Sequence, residues 1–206
     1  MTGADLLRRV IARTAKMEET SGISFIDAMN AAIELLFLRL WARRADLCRD
    51  DLNLTTAIHP IELPAAFRGF AEDPYLVAPS GEVIRLALLP AGVIASMVAK
   101  EPSEPPIYYR LSGTKITLYP PPIDTVYNLV GEYFSHPGVF SEASALPWGG
   151  VFNELIVDAT VGAIQFGGIT GMFANQALMM AVDQAIDRVL PYRVRPTPKR
   201  NGSYFF

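Results

Sequence analysis

Hydrophobic positions recur along this chain at two spacings, and the spacing changes twice. From Ala4 to Glu19, the residues Leu6, Leu7, Val10, Ile11 and Met17 form one stripe at helical intervals, which predicts an amphipathic helix. Thr20-Ser21-Gly22 breaks it. Ser24 is a suitable N-cap for a second helix with Asp27 three residues on, and Phe25, Met29, Ile33, Leu36, Phe37 and Leu40 then recur through Trp41. Arg39, Arg43 and Arg44 enrich its C-terminal end, where cations favour the helix dipole. An antiparallel helical hairpin is expected over 4–51.

The rhythm then shortens. Between Leu52 and Pro106 the signals are brief: Leu54 to Leu63 reads as a strand with Pro60 at an edge or bulge, and Glu62-Leu63-Pro64 leads into a packed loop holding Phe67 and Phe70. Gly81 turns the chain between Tyr75-Leu76-Val77 and Val83-Ile84-Arg85-Leu86, Pro90 opens a short helix through Met97, and Glu101–Pro106 is a stiff linker. From Ile107 to Pro137 the pattern is strand, tight turn at Ser112-Gly113, strand, proline break at Pro120, Pro121 and Pro122, strand. In the third run Val126, Asn128, Val130 and Glu132 alternate with Tyr127, Leu129, Gly131 and Tyr133, a period of two that predicts a sheet with two unlike faces.

Helical spacing returns after Pro147. One helix is expected over about Gly150–Gln165, an interruption at Gly167-Gly168-Ile169-Thr170-Gly171, and a last helix from Met172 to Val189. Pro191, Pro196 and Pro198 preclude further helix, so the tail should be extended or partly disordered when free. The fold class expected is α+β, mainly α: a helical bundle of N-terminal and C-terminal helix pairs with a β-rich insertion. Residues 1–190 form one domain, with the hairpin at 4–51, the β-rich middle at 52–137 and the helix pair at 150–190, followed by an extended tail at 191–206.

Composition narrows the chemistry. The 206 residues are half apolar and 19% charged, enough to bury a core. One cysteine, Cys48, excludes an intramolecular disulfide, and with only His59 and His136 besides, no metal site or cofactor is expected. Asp46, Asp50 and Asp51, with Arg49 among them, lack the alternating oxygen ligands and central glycine of a calcium loop and read as a helix end followed by a polar loop. The glycine-rich Gly167–Gly171 lacks the endings that cradle phosphate. Neither histidine belongs to a visible nucleophile–base constellation, so an enzyme would need a dispersed pocket gathering one of them with carboxylates. The uncharged run Ala159–Val182 contains Gln165, Asn175 and Gln176 and is flanked by Asp158 and Asp183, which argues against a membrane span. The N-terminus carries charges throughout and reads as an intracellular helix.

The net charge of −3 conceals an asymmetry. Five basic residues and no acidic one follow Asp187, leaving 13 basic against 21 acidic groups before them. Within that basic tail lie Tyr192, Tyr204, Phe205 and Phe206, interleaved with Arg193, Arg195, Lys199 and Arg200. Such a segment suits a protein groove with aromatic anchors, or single-stranded nucleic acid.

The progression Tyr109-Arg110-Leu111, Gly113, Ile116 to Tyr119, Pro120 and Pro122, then Tyr127, Leu129 and Tyr133-Phe134 resembles that of the head-to-tail adaptor (connector, or tail accessory) proteins of tailed bacteriophages. The layout agrees over most of the chain: a leading helical hairpin, a Leu63-Pro64 step after a strand, paired helices after the sheet and a C-terminal tail. The resemblance implies a non-enzymatic structural protein of the virion neck, assembled in the host cytoplasm. It further implies a ring of usually twelve copies beneath the portal, a downstream tail or stopper/nozzle protein as next partner, and a central channel that DNA crosses without sequence specificity. The tail matching the family's portal-docking segment carries Tyr192, Arg193, Arg195, Lys199, Arg200, Tyr204, Phe205 and Phe206. An acidic body suits a DNA conduit, because a basic wall would retain phosphates. The reading from another class is a nucleic-acid-binding module that uses the same tail.

Overall fold

The computed structural model describes residues 2–14, 24–43, 46–90, 105–123 and 125–190. Among them are five α-helices and two small sheets, a mixed α+β architecture. The helices are α1 (Gly3–Thr14), α2 (Phe25–Ala42), α3 (Asn153–Phe166), α4 (Ile169–Ala174) and α5 (Gln176–Val189). The Ser24 cap is present: its hydroxyl oxygen accepts the Asp27 N–H at 3.1 Å, and its O–H donates to the Asp27 carboxylate at 2.7 Å. Residues 15–19 of the expected first helix, the helix proposed at Pro90–Met97 beyond its first residue, most of the Glu101–Pro106 linker and the whole tail lie outside the described residues.

α2 is the centre of the helical layer. Ala28, Met29, Ala32, Ile33, Leu35, Leu36, Phe37 and Leu40 are all buried, wider coverage than one stripe provides, because the helix is enclosed on more than one side. Leu6 and Val10 of α1, Ile156, Val157 and Ala163 of α3, Met172 of α4 and Val182 and Ile186 of α5 complete one apolar cluster with it. Asn30 fixes the loop that follows the sheets, its side-chain oxygen accepting the Phe140 N–H at 2.7 Å.

The strands are β1 (Arg49–Thr55), β2 (Ile61–Glu62), β3 (Phe67–Phe70), β4 (Tyr75–Val77), β5 (Val83–Arg85), β6 (Ala87–Leu88), β7 (Tyr108–Ser112), β8 (Lys115–Tyr119) and β9 (Asn128–Ser135). They correct the expected middle in four ways. The single strand at Leu54–Leu63 is two, because the chain turns at 56–60 between β1 and β2. The Phe67–Phe70 loop is β3, which pairs with β9. The Asp46–Asp51 segment is a 3-10 turn running into β1, so Asp50 and Asp51 are strand residues. The hairpin turn is one residue later than expected, since Ser112 pairs with Lys115 and Gly113, at φ 59°, takes the left-handed position.

The proline break does more than end a strand. It moves the chain from one sheet to the other: β8 belongs to a sheet ordered β2-β8-β7-β6, and β9 to one ordered β1-β9-β4-β5 that also carries β3. β9 has eight residues and accepts three antiparallel partners. Leu129 and Tyr133 pack with Leu52, Leu76, Tyr109, Ile116 and Leu118 into a second core, whereas Phe134 turns into the helical cluster beside Cys48 and Ala71. In that second core Tyr109 donates its hydroxyl to Asp73 at 2.8 Å; burial first, then this bond and the Asp73 charge, raise its pKa.

The C-terminal helices also differ from expectation. Gly167, at φ 74°, ends α3 in the left-handed conformation, but Ile169, Thr170 and Gly171 already belong to α4. The expected Met172–Val189 helix is interrupted at Asn175, whose side chain accepts the Leu178 N–H at 3.0 Å and caps α5. Asparagine satisfies a helix start well, and here that local bond wins over the apolar run around it.

Candidate functional site

The eight tail residues singled out by sequence, Tyr192, Arg193, Arg195, Lys199, Arg200, Tyr204, Phe205 and Phe206, lie outside the described residues. What the structure fixes is the stem from which the tail leaves. α5 ends at Val189, and Leu190 still packs against the helical core. Near that end Arg43 of α2 binds Asp183 at 3.1 Å and Asp187 at 3.2 Å, and Arg39 stands 3.6 Å from Asp183. These pairs are half-buried, which reduces screening relative to open surface pairs. The arginines that sequence assigned to a helix dipole therefore also clamp α5 to α2.

Four residues beyond the end of α2 begins an acidic cleft of 380 Å³ lined by Asp46, Arg49, Asp50, Asp51 and Glu132. Arg49 binds Glu132 at 3.0 Å and lies over the Phe134 ring at 5.8 Å. Asp51 and Glu132 are directly opposite each other on β1 and β9. Sequence flagged the three aspartates and missed Glu132, because only strand pairing brings residue 132 to residue 51. No group of three or more His, Cys, Asp or Glu among the described residues is placed to hold a metal ion. A second, more apolar groove of 270 Å³ lies between α3 and α5, lined by residues including Leu155, Asp158, Leu178 and Val182.

Both histidines are engaged by the fold. His59 Nε2 accepts the Leu118 N–H at 2.9 Å, joining the β1–β2 turn to β8, and burial lowers its pKa. His136 Nδ1 accepts the Gly138 N–H at 3.0 Å, so Nε2 carries the proton; it stands 2.8 Å from the Glu34 carboxylate without hydrogen-bond alignment. Burial lowers the His136 pKa, and Glu34 opposes that shift only in part. Cys48 is buried behind Trp148, and burial pushes its thiol up to about 11. No helix among the described residues is long and apolar enough to cross a membrane.

The described surface thus presents the α5 stem that precedes the basic segment, an acidic sheet edge and an apolar helix groove. A family model described as SU10 adaptor protein matches residues 1–199. The chain belongs to that family. The match bears out the resemblance to phage head-to-tail adaptors read from the β7–β9 progression. It spans Tyr192, Arg193, Arg195 and Lys199, while Arg200 and Tyr204-Phe205-Phe206 lie beyond it. No curated protein matches the chain.

Proposed function

We propose that this SU10-family adaptor is a non-enzymatic structural protein of a phage neck, forming a ring beneath the portal and joining capsid to tail. The observation that carries the reading is the family match over nearly the whole chain. The clamped stem of α5 supports the role given to the tail: a rigid exit at Leu190 followed by a basic segment with terminal aromatics suits docking on the portal. The ring's lumen passes DNA, and the next partner is a downstream tail protein.

The test is decoration of a portal ring, read by native mass spectrometry and electron microscopy, with the full chain and with a chain ending at Leu190. Stoichiometric decoration by the full chain, lost on truncation, is the expected result. Binding to DNA in a salt-sensitive way, abolished by neutralising Arg193, Arg195 and Arg200, with no portal binding, would replace this reading with the nucleic-acid one.

A further inference from the structure

We propose that in the free subunit the basic tail adds to the body as a short strand, the segment from Tyr192 to Arg195 lying parallel to β1 along its outer edge. This deepens the docking reading, and rests on it for the later release of the tail to its partner. β1 is the outer strand of the sheet ordered β1-β9-β4-β5, and among the described residues nothing pairs with its far side. At seven residues it is a long edge, and such an edge invites pairing unless something covers it.

The backbone groups on offer are readable. The Thr56 N–H bonds the Tyr127 carbonyl, continuing the β1–β9 ladder, so even-numbered groups of β1 face β9 and those of Asp51, Asn53 and Thr55 face outward. Side chains alternate along the same strand. Leu52 and Leu54 face the second core, while Asp51, Asn53 and Thr55 are exposed on the other face, where Asp51 stands opposite Glu132. A strand that fits this edge carries apolar residues on the core side, a cation beside Asp51, and N–H donors only at alternate positions.

Tyr192-Arg193-Val194-Arg195, bounded by Pro191 and Pro196, has that pattern, with Tyr192 and Val194 alternating against the two arginines. Its direction follows from the helices. Arg39 and Arg43 of α2 meet Asp183 and Asp187 of α5, so the two helices run the same way and finish at the same end of the bundle. Leu190 and Cys48, the residues just before the tail and just before β1, both pack in the helical cluster. Counting outward from that shared start sets Tyr192 beside Asp50, Arg193 beside Asp51 and Val194 beside Leu52. An antiparallel strand would instead need Pro191 near Thr55, about 20 Å out along β1, where a chain held at Leu190 does not reach. In the parallel register the Asp51 and Asn53 N–H groups donate to the carbonyls of Tyr192 and Val194, and the Val194 N–H donates to the Asp51 carbonyl. Arg193 joins the row in which Asp51 already opposes Glu132, two like charges that a cation stabilises. Pro196, without a donor, ends the ladder.

The same charges disfavour a second copy on this edge, because a β1–β1 contact would gather Asp50, Asp51 and Glu132 of both copies on one sheet. The chain's own tail also arrives at the high effective concentration of a short tether. The consequence is a closed free subunit. Tyr192 and Arg193, which the docking reading gives to the portal, stay on the body until the portal competes for them.

The test is residue-resolved amide hydrogen exchange on the free full-length chain and on its Tyr192→Pro/Val194→Pro variant, which removes both tail donors. The Asp51 and Asn53 amides should exchange about tenfold more slowly in wild type than in the variant, while Leu52 and Leu54, which face β9, behave alike in both. Arg193→Glu should remove most of that difference, and Arg193→Glu with Asp51→Lys should return it. Equal Asp51 and Asn53 rates in wild type and the proline variant overturn the edge pairing. Protection that fades on dilution, the sign of a strand from another copy, overturns it too. Either failure with portal decoration intact leaves the docking reading standing. Protection of both amides in a wild-type chain that never decorates a portal would keep the edge pairing and sink the docking role.

Discussion

Phe134 joins two cores, and truncating it should uncouple them. It lies on β9 at 2% exposure, with Trp41 of α2 at 6.1 Å between ring centroids and the Arg49 guanidinium at 5.8 Å. Its neighbour Tyr133 points the other way, into the core between the sheets. Phe134→Ala removes a fully buried ring and leaves a cavity at the seam, a loss of about 4 kcal/mol. That is a large part of the roughly 5–15 kcal/mol that holds a domain folded. Both tryptophans, Trp41 and Trp148, contact the helical side, so their emission reports that layer, while hydrogen exchange in β7 and β8 reports the second core. In wild type the two signals should lose structure at one urea concentration. In Phe134→Ala the tryptophan transition should move lower by the full amount and the β7–β8 protection by less, separating the two. Leu129→Ala, fully buried in the second core, should cost about 3 kcal/mol and reverse the order. A Phe134→Ala change under 1 kcal/mol, or identical behaviour of the two variants, would refute the seam.

Stability should fall as pH drops from 7 towards 5. His59 and His136 both have folded pKa values below the ordinary imidazole value, so the fold favours their neutral forms and loses stability below the unfolded pKa. The double variant His59→Gln/His136→Gln should flatten that slope in urea titrations at stepped pH; an unchanged slope would remove the histidines as its cause. With its thiol raised to about 11, Cys48 should react with a disulfide reagent at pH 8 only as fast as the fold opens, checked by comparing the rate with that in urea. Asn175→Ala should lower stability by about 1 kcal/mol through loss of the α5 cap, measured by thermal or urea unfolding, with Asn175→Asp retaining most of it.

Local signals made much of this fold legible. The Ser24 cap, the Gly81 and Gly113 turns and the alternation along β9 each express backbone chemistry within a few residues, and each is found where expected or one residue away. What was hidden depends on distant partners. Nothing between Tyr119 and Asn128 states that the strands on either side enter different sheets; β2 and β1 decide that from more than 50 residues upstream of their partners. The break at Asn175 was hidden because it uses neither glycine nor proline, only one side-chain hydrogen bond in an apolar run. The acidic cleft was half legible, since three of its carboxylates are neighbours in sequence and the fourth arrives through register. The predicted docking residues stay a matter of composition, being outside the described chain.

The position of β9 also sets a timetable. β1, β3 and β4 all precede it in the chain and all hydrogen-bond to it. On the ribosome these three strands have no central partner until residue 135 has been made, roughly 4–16 s after residue 55 at about 5–20 residues per second. During that interval the nascent chain displays strand edges with nothing native to pair with. A fragment stopping short of Ser135 would keep that condition permanently, and should fail as a soluble species even though it contains two-thirds of the protein.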